Sequence, residues 1–506
     1  MPRRVQRQAY RRPRDPRNQR FQLARRATHG YKRPPMVTFR PSLALQPHAL
    51  PNLVVPPPGP LSRAALARLH AHESPNVTAI AANFPIVWQE ARGAAVRDLD
   101  GNTYVDATSA FGVALIGHAH PQVVAAVQAQ AARLMHAMGD VHPAEVRILL
   151  LEKLTELTPG DLGQGVLCGS GSEAVEVALK TALLATGKPG IIAFSGSYHG
   201  LGHGALDATS RRDFRTPFSS QLARNTTWVP FPHPLNPPLG VQVHELTAHI
   251  LQRVEDLVAH PAMGGQPVGA ILLEPIQGRG GVMVPPPDFL PGLRALCDRH
   301  HVLLILDEIF TGMGRTGTLF ACQDDLGGKT DRVVPDILCI GKALGGGMPI
   351  AACLGRPHVM AAWPQSTGEA LHTSTFLGHP VACAAALATI EILQKQKIPE
   401  QVREAGLTWL RLLDDRLGQH PRVRQIRGRG LMIGIELAQP PGHPPATDLA
   451  WQVVLGCLQR GILVLPCGLH GEVIQLTPPV VMTAEQRAHV VEALGQALEE
   501  ASRTVF

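Results

Sequence analysis

The chain has 506 residues, 45% of them hydrophobic and 17% charged, with 47 Lys plus Arg against 40 Asp plus Glu. That length holds two to four structural units at about 100–200 residues each, and the composition excludes collagen, a disulfide scaffold and, for most of the chain, disorder. The formal charge of +7 is unevenly placed: residues 1–50 carry twelve Arg and one Lys against the single acid Asp15, a balance of +12, which leaves the other 456 residues at −5. A basic arm on a mildly acidic body predicts no nucleic-acid and no membrane partner for the body.

In chain order, residues 1–60 are rich in Arg, Pro and Gln, lack hydrophobic periodicity and end in Val54-Val-Pro-Pro-Pro-Gly-Pro60, which predicts a disordered or loosely attached extension. Leu61, Ala64, Leu66 and Leu69 recur at helical spacing, so the ordered chain is expected to begin with a short helix over 61–72. Ala95–Asp106 reads as a β-hairpin turning at Asp100-Gly101-Asn102. Between about 145 and 385, helical stretches alternate with short apolar strands at 190–194, 269–274, 302–307, 337–340 and 350–354, the pattern of a sheet buried on both faces. A helix over 384–396 then leads into a mixed segment with a helix near 448–460, a strand near 462–466 and a terminal helix from Thr483. No solenoid-length repeat is present.

The eight cysteines, Cys168, Cys297, Cys322, Cys339, Cys353, Cys383, Cys457 and Cys467, lie mostly in apolar runs without a C-x-x-C pair. They read as buried free thiols of a reducing, cytoplasmic protein with no metal site. No run of about 18 apolar residues predicts a membrane span, and no apolar segment follows the basic arm to make a secretory signal.

Three ionisable residues recur at the carboxyl ends of successive core strands: Glu274, Asp307 33 residues later, and Lys342 another 35 later. That edge is where open α/β sheets place ligands. Lys342, one residue past an apolar strand and ahead of Gly345-Gly346-Gly347, would sit in a partly desolvated cleft with a lowered pKa, able to attack a carbonyl. A carboxylate at the end of an apolar strand, as Asp307 is, needs a cationic partner such as a protonated pyridine nitrogen. Cys168-Gly-Ser-Gly-Ser172 precedes an amphipathic helix whose free N–H groups suit a phosphate, and Tyr198-His199-Gly200 offers an aromatic face for a planar ring.

These segments, with Asp98–Asp106, Gly117-His-Ala-His-Pro121, Glu274-Pro-Ile-Gln-Gly278 and His372-Thr-Ser-Thr-Phe-Leu-Gly-His-Pro380, resemble the class III pyridoxal-phosphate aminotransferases, the family of acetylornithine, ornithine and 4-aminobutyrate aminotransferases. The resemblance runs from about Asn83 to the end. It implies an α/β fold-type-I architecture: a lead-in segment over 61–144, a large cofactor-binding domain with a mostly parallel sheet over 145–385, and a smaller α+β domain over 386–506 that takes in both chain ends.

By the same resemblance, Lys342 holds pyridoxal 5'-phosphate as an aldimine and moves the proton of the reaction, Asp307 keeps the pyridine nitrogen protonated, and Glu274 stands beside the cofactor. Ser170, Gly171 and Ser172 match the phosphate turn, Tyr198 with His199 the stacking segment, Ile309 the other ring face, and Thr375 a residue that reaches the phosphate from a neighbouring subunit, which implies a homodimer. The implied activity is transfer of an amino group from a small amino acid or amine to a 2-oxo acid. Alternatives are racemisation or epimerisation on the same fold, or a non-catalytic protein tethered by its Arg-rich arm.

Two positions depart from the family. Where many ω-amino-acid members have Glu-Pro-x-Gln-Gly-Glu-Gly-Gly, this chain has Arg279 at the second acid, and Gln475 replaces the arginine of the usual Arg-x-x-Pro-Pro-Leu. Both halves of a glutamate–arginine switch are therefore missing, and Arg279 becomes the candidate carboxylate anchor. Phe310 stands where many relatives have Gln. The arm fits three readings: a translation start further in, for instance near Met36; a targeting or tethering tail; or a solvated extension.

Overall fold

The computed structural model describes residues 44–81, 83–260, 265–324, 333–439 and 443–504. The Arg-rich arm lies outside them up to residue 43. Contacts divide the chain into Met1–Ala44 and Leu45–Phe506, and all the elements below belong to the second unit.

After a helix over Pro60–His72, β1 (Trp88–Arg92), β2 (Ala95–Asp98) and β3 (Thr103–Asp106) form an antiparallel meander, and Asp98 Oδ1 accepts the Asn102 N–H to close the expected hairpin. The central sheet contains β4 (Gln164–Cys168), β5 (Gly190–Phe194), β6 (Thr226–Val229), β7 (Val268–Leu273), β8 (Leu303–Glu308), β9 (Ile337–Ile340) and β10 (Ala351–Gly355), in the order β4-β10-β9-β8-β7-β5-β6. Strand β10 runs antiparallel to both its neighbours, and the other pairings are parallel. Every residue of β5, β7, β9 and β10 is buried, which is why these strands read as uninterrupted apolar runs.

Helix Gly171–Thr186 covers one face of the sheet with Ala174, Val175 and Ala178 against Ile305, Cys339 and Cys353. On the other face Phe194, Phe231 and Phe289 pack edge to face at 5.6–6.0 Å above Leu293 and Leu306. Burying each such side chain stabilises the fold by about 1.5–3 kcal/mol.

Towards the C-terminus, β11 (Val423–Arg429) and β12 (Met432–Leu437) form a hairpin. Strand β13 (Ile462–Leu463) adds in parallel to β3, whereas β14 (Leu465–Cys467) and β15 (Val473–Leu476) extend β12. A 20-residue helix over Ile398–Leu417 precedes β11 and was not expected from the sequence. Its Ile398, Val402, Trp409, Leu413 and Leu417 form a buried stripe, but numerous charges and Pro399 at its start mask the pattern. Helices Thr447–Leu458 and Ala484–Thr504 complete this part, close to their expected bounds.

One correction concerns residues 45–60, expected to be loosely attached. Leu45 is buried, Asn52 bridges Thr103, and Asn102 Oδ1 accepts the N–H groups of Val54 and Val55 at 2.8 and 3.0 Å. Asp100 then caps the first helix by accepting from Leu61 and Ser62. The prolines that suggested disorder supply no ladder donors, so side-chain amide and carboxylate groups of the hairpin turn tie the segment down instead.

Arg315 joins three distant parts of the chain. Fully buried, it donates to the carbonyls of Gly112, Leu431, Thr477 and Pro478 at 2.8–3.2 Å. Gly112 and Pro478 adjoin walls of the cleft described next.

Candidate active site

Strands β7, β8 and β9 lie side by side, and their carboxyl ends deliver the three ionisable residues together. Glu274 follows β7 directly, Asp307 is the fifth residue of β8, and Lys342 lies two past β9. All three line one cleft of about 690 Å³, together with Ser170, Gly171, Ser172, Tyr198, His199, Ile309, Arg279 and Gln475. Of the residues selected from the sequence only Thr375 lies elsewhere: it is exposed, in the 371–379 segment, and not part of this lining.

Asp307 is 3% exposed; its Oδ1 accepts the Ile309 N–H at 3.1 Å and its Oδ2 lies 2.7 Å from His199 Nδ1. The other ring nitrogen of His199 is buried with no protein partner. Glu274 accepts from the N–H groups of Tyr198 and Gly278 at 3.0 and 2.9 Å, and burial pushes its carboxyl up to about 7, against the pull of His199. Lys342 faces Phe310, with Nζ 4.5 Å from the ring centroid. Burial lowers the pKa of the Lys342 amine; Asp307 and Glu274 oppose the shift and Arg279 adds to it. The neutral amine, the nucleophilic form, is thereby favoured.

Phe310 is wedged between two glycines. A Cβ at Gly112 would come within 2.2 Å of its ring and one at Gly278 within 2.4 Å, so larger residues at either place would displace the ring from Lys342. Gly112 also has φ +82°, ending a left-handed run through Ser109, Ala110 and Phe111 that turns Phe111 to the cleft mouth. Asp106 holds this run by accepting from the Thr108 and Ala110 N–H groups at 2.7 and 3.0 Å.

On the opposite wall, Ser170 caps helix Gly171–Thr186, accepting the Glu173 N–H at 3.2 Å, while Ser172 Oγ accepts from Gly202. The first N–H groups of this helix, at Gly171 and Ser172, have no intrahelical acceptor and suit an anion. A Cβ at Gly171 would meet Ile309 at 2.8 Å, so only glycine lets the helix start close on that side chain.

Sequence reading missed several lining residues: Phe111, Val113, Leu201, Arg211, Met348 and Leu465–Cys467. Arg211 opens an Arg-Arg-Asp-Phe-Arg run shortly after Tyr198, a local charge signal that could have flagged it. The others carry no chemical signature of their own.

Residues 77–498 match the family model described as aminotransferase class-III. The chain belongs to the class III aminotransferases. It is 36% identical over 413 residues to an acetylornithine aminotransferase of Methanosarcina acetivorans, covering 82% of this chain and 92% of that one. An alanine/serine racemase of Pyrococcus horikoshii is 31% identical over 454 residues, 89% and 93% of the two chains. Among solved structures, an amine transaminase from an uncultivated Pseudomonas species, in its PLP-bound form, superposes with a TM-score of 0.77 at 30% identity, over 85% of this chain and 98% of that one.

Class membership makes this chain a fold-type-I transaminase that uses pyridoxal 5'-phosphate. The cleft fits that cofactor. A helix start with unpartnered N–H groups faces the same space as a buried carboxylate, an aromatic side chain and a lysine with a lowered pKa.

Proposed function

We propose that this transaminase moves an amino group from a small amino acid or amine to a 2-oxo acid, with Lys342, Asp307 and Glu274 as its working residues. The observation that carries this reading is the convergence of Lys342 and Asp307 in one cleft with the Ser170–Ser172 helix start. Bound pyridoxal phosphate supplies a carbonyl for the incoming amine and a ring that withdraws electrons from the reacting carbon.

Ser170, Gly171 and Ser172 would hold the phosphate, with Tyr198 and Ile309 available to the ring. The Asp307 carboxylate, oriented by His199 and the Ile309 N–H, keeps a proton on the ring nitrogen. Lys342, its pKa lowered by burial, would take the proton from the substrate α-carbon on Nζ and deliver it to the cofactor's C4′ carbon. Glu274 fixes the Tyr198 and Gly278 backbone beside the cofactor.

The resemblance to a named racemase makes proton return to the α-carbon the competing reading. Incubating the holoenzyme with single enantiomers of an amino acid separates the two. The transaminase stops after one half-turnover until pyruvate or 2-oxoglutarate is added, whereas sustained loss of optical activity without an acceptor overturns this reading.

The same reading includes a homodimer in the reducing cytoplasm. All eight cysteines are free and buried, which supports the compartment. Among the described residues no helix is long and apolar enough to cross a membrane. Met135, Met138 and Val141 are exposed next to the exposed Leu371 and Phe376, and the two segments touch through His136 and Phe376 and through Thr373 and Asp140. An apolar patch of this kind, next to Thr375, supports a subunit interface here. Sedimentation at micromolar concentration is expected to give twice the chain mass of 54.3 kDa; a single-chain mass removes the shared-site part.

A further inference from the structure

The cleft lining also carries two arginines, Arg279 and Arg211. Arg279 follows the strand-end Glu274 by five residues, and its guanidinium carbon lies 5.0 Å from the Tyr198 ring centroid and 5.9 Å from that of Phe214. Arg211 lies 5.6 Å from the same Phe214 ring. Tyr198 and Phe214 meet edge to face at 5.9 Å, so the two rings form a shelf that supports both guanidinium groups.

Neighbouring arginines are treated differently. Arg424 and Arg427 both pair with Glu436, and Arg427 also donates to the carbonyls of Gly281 and Val282. Among the described residues neither Arg279 nor Arg211 has an acidic partner. The acids that line the same cleft, Glu274 and Asp307, are committed to backbone N–H groups and to His199.

The backbone that carries Arg279 is also fixed. Its carbonyl accepts the Gly468 N–H at 3.0 Å, and the following Gly281 is held by Arg427. The guanidinium is therefore presented from a rigid loop with no internal anion to satisfy it. In the same lining, Gln475 on β15 has its amide nitrogen buried without a partner. A guanidinium and an unpartnered amide N–H lining one cleft make a donor set for a carboxylate.

We propose that Arg279 and Gln475 form the carboxylate-binding subsite of this enzyme, with Arg211 adding positive potential to the same wall. The substrates are then amino acids and 2-oxo acids that keep a carboxylate clear of the reacting carbon's chemistry, and simple amines are poor donors. This assignment rests on the transaminase reading.

The test uses the holoenzyme and two unreactive probes, glutarate and its uncharged diamide, with dissociation constants read from the perturbed visible absorption of the cofactor or from calorimetry. Wild type is expected to prefer glutarate. Replacing a charge-assisted anchor, Arg279→Gln, should weaken glutarate about 10- to 100-fold and remove the preference over the diamide. Arg279→Lys should retain part of it, and Gln475→Leu should lose a few-fold.

Glutarate affinity unchanged in Arg279→Gln overturns the subsite, as does loss of the preference in Gln475→Leu with none in Arg279→Gln. If wild-type enzyme transfers no amino group from any donor, the transaminase reading falls while the glutarate result still decides the anion site.

Discussion

Replacing Lys342 by Ala is expected to lower kcat by about 10⁴-fold while the protein stays folded and still binds its cofactor. Positioned acid–base groups contribute about 10²–10⁴-fold, and Lys342, the lysine of the cleft lining, is the proposed proton carrier and nucleophile, so its loss should remove both roles. Its surroundings are built for that work. Lys342 has φ +31°, an unusual backbone conformation for a non-glycine residue, between Gly341 and the Gly345–Gly347 run. Its amine is desolvated against Phe310, whose place depends on Gly112 and Gly278. The Ser170–Ser172 helix start does not depend on Lys342, so phosphate affinity should survive the substitution. Cofactor content and steady-state rates check both parts, and a loss of less than tenfold in kcat would remove Lys342 from the chemistry.

The second large effect is expected at Asp307. Asp307→Ala should lower kcat by about 10²–10³-fold, the usual cost of removing one preorganised electrostatic group. It should also destabilise the fold by about 1–3 kcal/mol, because His199 Nδ1 loses its buried partner. Asp307→Asn separates the two contributions: it keeps an acceptor for His199 but carries no charge to hold a proton on the ring nitrogen. The activity loss should therefore persist in Asn while most of the stability returns, measured by steady-state rates and urea midpoints. Equal stability loss in both variants with wild-type kcat would make Asp307 a structural residue.

How much could be read in advance follows from where each signal resides. Strands β5 and β9 fall on their expected residues because burial on both faces writes itself as an unbroken apolar run. Strands β4 and β6 were missed. Gln164-Gly165 and Thr226-Thr227 open them with polar or small residues, since these are the two edges of the sheet. The site's floor was readable because one βαβ repeat separates Glu274, Asp307 and Lys342, a regularity of the chain itself. Its walls were readable only in part. Phe111, Arg211 and Leu465 come from positions far apart in the chain and meet only through tertiary contacts such as the Arg315 clamp. Residues 45–59 failed for a related reason: proline composition argued for disorder, while the groups that anchor the segment, Asn102 and Asp100, lie in a different element.

Borohydride reduction of the holoenzyme followed by peptide mass mapping shows whether the cofactor sits on Lys342 as proposed. One stable adduct with the cofactor mass is expected on the peptide that contains Lys342, and none in Lys342→Ala. An adduct on a different lysine, or none in active wild-type enzyme, would contradict it.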